Sequence, residues 1–245
     1  MIGLTSVTFR KLPAERIISL CAEAALQTIE WGGDIHVLPG DTERAAEIAQ
    51  KTQDAGLKVS SYGSYYRVGI DPVGDFETVL ATAKALGAPL IRVWCGNKGS
   101  AETTEQEAAA YINQLRQMCE LAWKQNVFVA CEYHNGTYND NSECALKLIN
   151  GVDMPNLKTY WQTIDYNEKD MNALIALKKH IAVAHVFTWD KNYNRFPLEK
   201  KGKLWQEYIN ELKDESVNFI MEFVKNDSEK QFLKDAKFLE KLVER

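Results

Sequence analysis

Eight short apolar runs alternate along this chain with eight longer stretches of helical periodicity, and few folds accept that order. The runs lie near 2–7, 27–31, 57–62, 89–94, 127–132, 159–165, 181–186 and 217–222. The helical stretches lie near 13–25, 42–56, 73–87, 104–125, 140–150, 168–179, 202–213 and 228–243. Strands separated by helices pair in parallel, because only a long crossover brings the chain back to the same edge. A chain of 245 residues with this alternation closes most simply into a (β/α)8 barrel, one α/β domain over 1–245. Local chemistry supports the boundaries. Pro13 suits a first helical turn. Asp41 and the Asn139-Asp140-Asn141 run offer helix caps. Gly56 and Gly87 follow helical stretches where a left-handed cap is wanted.

The bulk properties exclude several classes of function. With 45% hydrophobic residues the chain can bury a large core. A net charge of −5 gives no general attraction to nucleic acid or an anionic membrane. The five cysteines form no CxxC pair and are odd in number, which fits reduced thiols in a cytoplasmic protein better than a disulfide framework. The amino terminus lacks a basic segment followed by an apolar one, and no stretch is long and apolar enough to span a bilayer. The expected partner is a small molecule, and a homo-oligomer is compatible with this composition.

The strand ends carry the chemistry. The run Val127-Phe128-Val129-Ala130-Cys131 is apolar throughout, as in a strand buried on both faces, and then breaks into Glu132-Tyr133-His134-Asn135-Gly136. The next three runs also end in polar residues, at Asp165, His185 and Glu222. The carboxyl end of a parallel barrel is where active sites are built. Buried carboxylates and imidazoles are costly there unless a metal, hydrogen bonds or a substrate compensate them. Three carboxylates and one imidazole suit a divalent, oxygen-loving ion such as Mn²⁺, Mg²⁺ or Co²⁺, with Zn²⁺ a further candidate. Each separation fits one strand-helix unit, so the four can come from four successive strands.

The motifs Gly3-Leu4-Thr5-Ser6-Val7-Thr8-Phe9-Arg10, Glu30-Trp31-Gly32-Gly33-Asp34-Ile35-His36, Ile91-Arg92-Val93-Trp94, Glu132-Tyr133-His134-Asn135-Gly136-Thr137 and His185-Val186-Phe187 carry a resemblance over essentially the whole chain. They are similar to the sugar phosphate isomerase/epimerase family, the xylose-isomerase-like TIM barrels that include ketose 3-epimerases, inosose dehydratase and apurinic endonucleases. The resemblance implies that Glu132, Asp165, His185 and Glu222 are metal ligands and that Glu132 and Glu222 form an acid/base pair. The chain departs from the epimerases at the sixth strand. Their Asp-x-x-His motif is matched here by Asp165-Tyr166-Asn167-Glu168, which puts Glu168 where a substrate-contacting histidine is expected.

Further residues are read as facing substrate. Asp34 and His36 follow two glycines after the second strand, where the backbone can approach a ligand closely. His134 lies two residues beyond Glu132 and so points to the same side of an extended backbone. Arg92 ends the fourth strand and can meet a substrate oxygen or pair with a carboxylate. Arg195 lies in the irregular stretch 188–201, which is long enough to suggest a functional loop. That loop and the second-strand loop are expected to form opposite walls of the pocket.

These features point to a metal-dependent isomerase or epimerase acting on a sugar or related ketose. A metal that polarises the carbonyl stabilises the enediolate left when the neighbouring proton is removed. The alternatives are an inosose-type dehydratase, which shares the first step, and a sugar-binding barrel without turnover.

Overall fold

The computed structural model describes residues 1–244. Its strands are β1 (Ile2–Thr5), β2 (Thr28–Gly32), β3 (Lys58–Val68), β4 (Leu90–Cys95), β5 (Phe128–Cys131), β6 (Leu157–Gln162), β7 (Ile181–Val186) and β8 (Asn218–Met221). The helices are α1 (Ala14–Glu23), α2 (Thr42–Asp54), α3 (Val73–Ala85), α4 (Glu105–Trp123), α5 (Ser142–Val152), α6 (Glu168–Leu177), α7 (Gly202–Leu212) and α8 (Glu229–Val243). The strands pair in sequence order, all parallel, and β8 closes on β1. This is a (β/α)8 TIM barrel. Among the described residues no helix is long and apolar enough to cross a membrane.

The helices start where the sequence supplies caps. Asp41 accepts from the Arg44 N–H at 3.0 Å, and Asn141 accepts from the Cys144 N–H at 2.9 Å. Thr104 and Glu107 close a reciprocal capping box at the start of α4. Pro13 falls one place earlier than a first-turn residue, as the extended residue before α1.

Each strand buries two faces. One packs under the helices, in a large cluster that includes Trp31, Phe76, Trp161, Trp205 and Phe232. The other lines the barrel, where Leu90, Ala130, Tyr160, Val183 and Ile220 form a separate apolar plug. Side chains alternate along a strand, so the residues two further on point inward one layer nearer the mouth. They are Arg92, Glu132, Gln162, His185 and Glu222, all buried. The fold thus sets a polar layer on an apolar floor.

One boundary matters for function. The sixth strand was expected over 159–165, but β6 spans Leu157–Gln162. Asp170, from the first turn of α6, stops the strand by accepting from the Thr163 hydroxyl at 2.6 Å and from the backbone N–H groups of Ile164 at 3.0 Å, Asp165 at 3.1 Å and Tyr166 at 2.6 Å. A carboxylate that collects successive N–H groups holds the chain in a turn, so it cannot continue as strand.

Candidate active site

Three of the four expected ligands meet at the barrel mouth. Glu132, His185 and Glu222 each offer a ligand atom within 4.8 Å of the others, and all three are buried. His185 Nδ1 lies 3.4 Å from a Glu132 oxygen and 3.4 Å from a Glu222 oxygen. Both ring nitrogens of His185 are buried without a hydrogen bond. An orphaned imidazole nitrogen beside two carboxylates fits a divalent cation, which would take one ligand atom from each of the three residues.

Asp165 stands apart. It is exposed, in the turn organised by Asp170, and is not among the three side chains that converge. The reason is the early end of β6. The residue level with His185 in the sheet register is Gln162, so the sixth-strand position in this polar layer carries a neutral carboxamide. The four residues leaving the strand are Gln162-Thr163-Ile164-Asp165, three places before the window read from the sequence. Glu168 accordingly falls on the exposed first turn of α6.

Two buried charges hold the layer together. Arg92 places Nε 3.3 Å from Glu132 and Nη1 3.4 Å from Glu30. Its expected choice between substrate and carboxylate falls to the carboxylates. Glu30, at the head of the second-strand motif, is a further member of this layer. It is fully buried and accepts from Thr5 at 2.9 Å, Ser61 at 2.9 Å and Tyr160 at 2.6 Å. Its sequence signal was a carboxylate inside the apolar run Thr28-Ile29-Glu30-Trp31.

The two glutamates beside His185 are not equivalent. Glu132 is held by Arg92 and accepts from the Trp94 indole N–H. Burial works to raise its pKa, but the Arg92 charge and the His185 contact outweigh burial and lower it. Glu222 lies beside His185 with no such clamp. Burial and the neighbouring charges of Glu132 and Glu30 raise its pKa despite the attraction of His185.

The remaining expected residues divide. His134 lines a cavity of about 290 Å³ with Gln162, Asp165, Phe187, Trp189 and Lys191. Its ring stacks on Trp94 with centroids 4.9 Å apart. Its Nδ1 lies 2.6 Å from the Asn135 carbonyl, which can only accept, so Nδ1 carries a proton and the neutral ring has its lone pair on Nε2. Asp34 is ion-paired with Arg10, which also donates to the Tyr65 hydroxyl at 2.7 Å. His36 was expected to face substrate, but both its nitrogens are engaged, by Ser6 Oγ at 3.0 Å and the Leu12 carbonyl at 3.1 Å. It ties the loops after β1 and β2 together. Arg195 is paired with Asp227 and lies 4.5 Å over the Phe223 ring. The first part of its loop, around Trp189 and Lys191, does wall the cavity beside Gln162.

The profile of the xylose isomerase-like TIM barrels matches residues 18–242. The chain belongs to that family. A curated relative, 3-dehydroshikimate dehydratase of Bacillus anthracis, is 32% identical over 167 residues, 64% of this chain. The match spans 59% of that relative's own length. Among solved structures, a probable 3-DHS dehydratase from Bacillus anthracis superposes with a TM-score of 0.84 at 21% identity, covering 98% of both chains. A family barrel from Mycobacterium smegmatis, solved in complex with magnesium, gives 0.70 at 14% identity, covering 99% of this chain and 96% of its own.

Proposed function

We propose that this xylose isomerase-like barrel is a divalent-metal-dependent dehydratase acting on a hydroxylated ketone of the dehydroshikimate type. The observation that carries the reading is the inequality of Glu132 and Glu222. An epimerase working by proton exchange on opposite faces needs two competent bases. Here Glu132 is clamped by Arg92 and Trp94, which stabilise its charge and weaken it as a proton acceptor. Elimination of water needs only one base. The similarity to a 3-dehydroshikimate dehydratase supports the same choice and names the compound to try first.

Glu132, His185 and Glu222 would hold the ion, with the Gln162 carboxamide beside them in the register. A bound divalent cation polarises the substrate carbonyl and stabilises the charge that develops on its oxygen. The protein's own part is proton transfer and enclosure. His134 stands on the cavity wall with Nδ1 given to a carbonyl, which leaves Nε2 of the neutral ring to take the proton next to the substrate carbonyl. The C–H electrons form the new double bond, the β C–O bond breaks, and the proton on His134 passes to the departing hydroxyl as water. Trp94, stacked against the ring, fixes its plane. Phe187 and Trp189 limit water at the cavity.

The test is direct. Protein loaded with Mg²⁺ or Mn²⁺ is incubated with 3-dehydroshikimate, and the conjugated dehydration product is followed by absorbance. Turnover that a chelator abolishes and that His134→Ala reduces at least a hundredfold is the expected result. Inert 3-dehydroshikimate together with solvent-deuterium incorporation into a ketose would restore the epimerase reading.

A further inference from the structure

Glu30 is a carboxylate that the proposed reaction does not use, yet it has more hydrogen-bonding partners than any other group in the polar layer. On one oxygen it meets Thr5 at 2.9 Å, Arg92 at 3.4 Å and His185 Nε2 at 3.5 Å. On the other it accepts from Ser61 at 2.9 Å and Tyr160 at 2.6 Å. Four donors occupy a group with about four lone-pair sites, and His185 Nε2 stands 3.5 Å from it without a hydrogen bond. Glu30 is saturated and has no lone pair left for an ion. It nonetheless faces the one side of His185 that the other carboxylates do not.

The two nitrogens of His185 are therefore distinguished. Nδ1 faces Glu132 and Glu222, and Nε2 faces Glu30. The ring has little freedom to exchange them, because Tyr160 packs edge-on against it with centroids 5.0 Å apart and an interplanar angle of 81°. The same Tyr160 donates its hydroxyl to Glu30, so one side chain locates both the imidazole and the carboxylate behind it. We propose that Glu30 is a positioning residue that holds the proton on His185 Nε2 and thereby presents Nδ1 as the metal-ligating atom. A ligating histidine whose other N–H is given to a carboxylate is fixed in tautomer and orientation. The four remaining donors keep Glu30 charged and immobile so that it can play this part.

The inference rests on the assignment of Glu132, His185 and Glu222 as ligands, and the experiment separates the two. Protein labelled with ¹⁵N-histidine is titrated with Mg²⁺, and the His185 nitrogens are identified against His185→Ala. The expected Mg²⁺-bound spectrum has a protonated Nε2 and an unprotonated, metal-shifted Nδ1. Titration of Glu30→Gln is expected to show Mg²⁺ affinity lowered tenfold or more, since a carboxamide loses the charge that faces His185 Nε2. A Mg²⁺-bound wild-type spectrum with the proton on Nδ1 and none on Nε2 overturns the proposal without any variant. A folded Glu30→Gln that binds Mg²⁺ as tightly as wild type overturns it too, while leaving the ligand assignment standing. Wild-type protein whose Mg²⁺ affinity is unchanged by His185→Ala overturns both.

Discussion

His185 is held as a cation by the same groups that would make it a ligand. Burial lowers its pKa, but the charge of Glu222 and the contacts with Glu132 and Glu30 win and raise it to about 10. In the metal-free protein this charge contributes stability that is fully present below the ordinary histidine value of about 6.5. That stability declines as pH rises and is gone above the folded value of about 10. A metal needs the neutral ring, so ion uptake must expel the proton. Two outcomes follow. The melting temperature of metal-free protein should fall from pH 7 to pH 9, and Mg²⁺ affinity should rise over the same interval. Titration calorimetry at pH 8 in buffers of different ionisation heat should report release of about one proton per ion. Heats that are independent of buffer would show that His185 is already neutral or does not ligate.

The end of β6 decides which side chain joins the polar layer, and it illustrates what a sequence can reveal. The alternation of eight strands and eight helices was legible because strand faces and helix stripes repeat with their own periods, and Asp41 and Asn141 mark helix starts by local hydrogen bonds. The convergence of Glu132, His185 and Glu222 was legible because each sits just where an apolar run stops. Asp165 was placed at the strand end because Thr163 and Ile164 extend the apolar pattern past the true end of β6. The signal that ends the strand lies in Asp170, five residues further along and inside the next helix. The role of Glu30 was hidden for a different reason: its partner Tyr160 is 130 residues away in sequence. The β6 boundary makes a clear prediction. Asp165→Ala should leave Mg²⁺ affinity within about twofold, while His185→Ala should lower it by a hundredfold or more. Gln162→Asp should tighten binding, because it adds a charge at the position level with His185 in the sheet register. Calorimetric titration of the three variants tests the assignment, and a large loss in Asp165→Ala would return that residue to the metal.

At the scale of the whole barrel, the polar layer is only as well placed as the apolar floor beneath it. Gly3 shows the dependence. In β1 it is in register with Thr28 of β2 and Ile220 of β8, at the seam where the barrel closes. A Cβ built there would come within 2.5 Å of the Thr28 carbonyl oxygen and 2.8 Å of Ile220 Cδ1. A backbone oxygen cannot rotate away, so β1 and β2 must part or Ile220 must be displaced. Thr28 lies two residues before Glu30, and Ile220 two before Glu222, so either movement is carried to the polar layer. Gly87 is the useful contrast. It follows α3 with φ +70° and has open space around the Cβ position. Alanine at that site meets only the left-handed backbone penalty, about 1–2 kcal/mol. Gly3→Ala should cost a comparable amount, about 1–3 kcal/mol as an overpacked core does. The two are then separated by function rather than by stability. Gly87→Ala should lower the melting temperature and leave Mg²⁺ affinity unchanged. Gly3→Ala should lower both, because its strain is relieved by moving the strands that carry Glu30 and Glu222. Equal stability losses with equal, unaltered Mg²⁺ affinities would mean that the closed seam absorbs the extra methyl without passing the shift to the mouth.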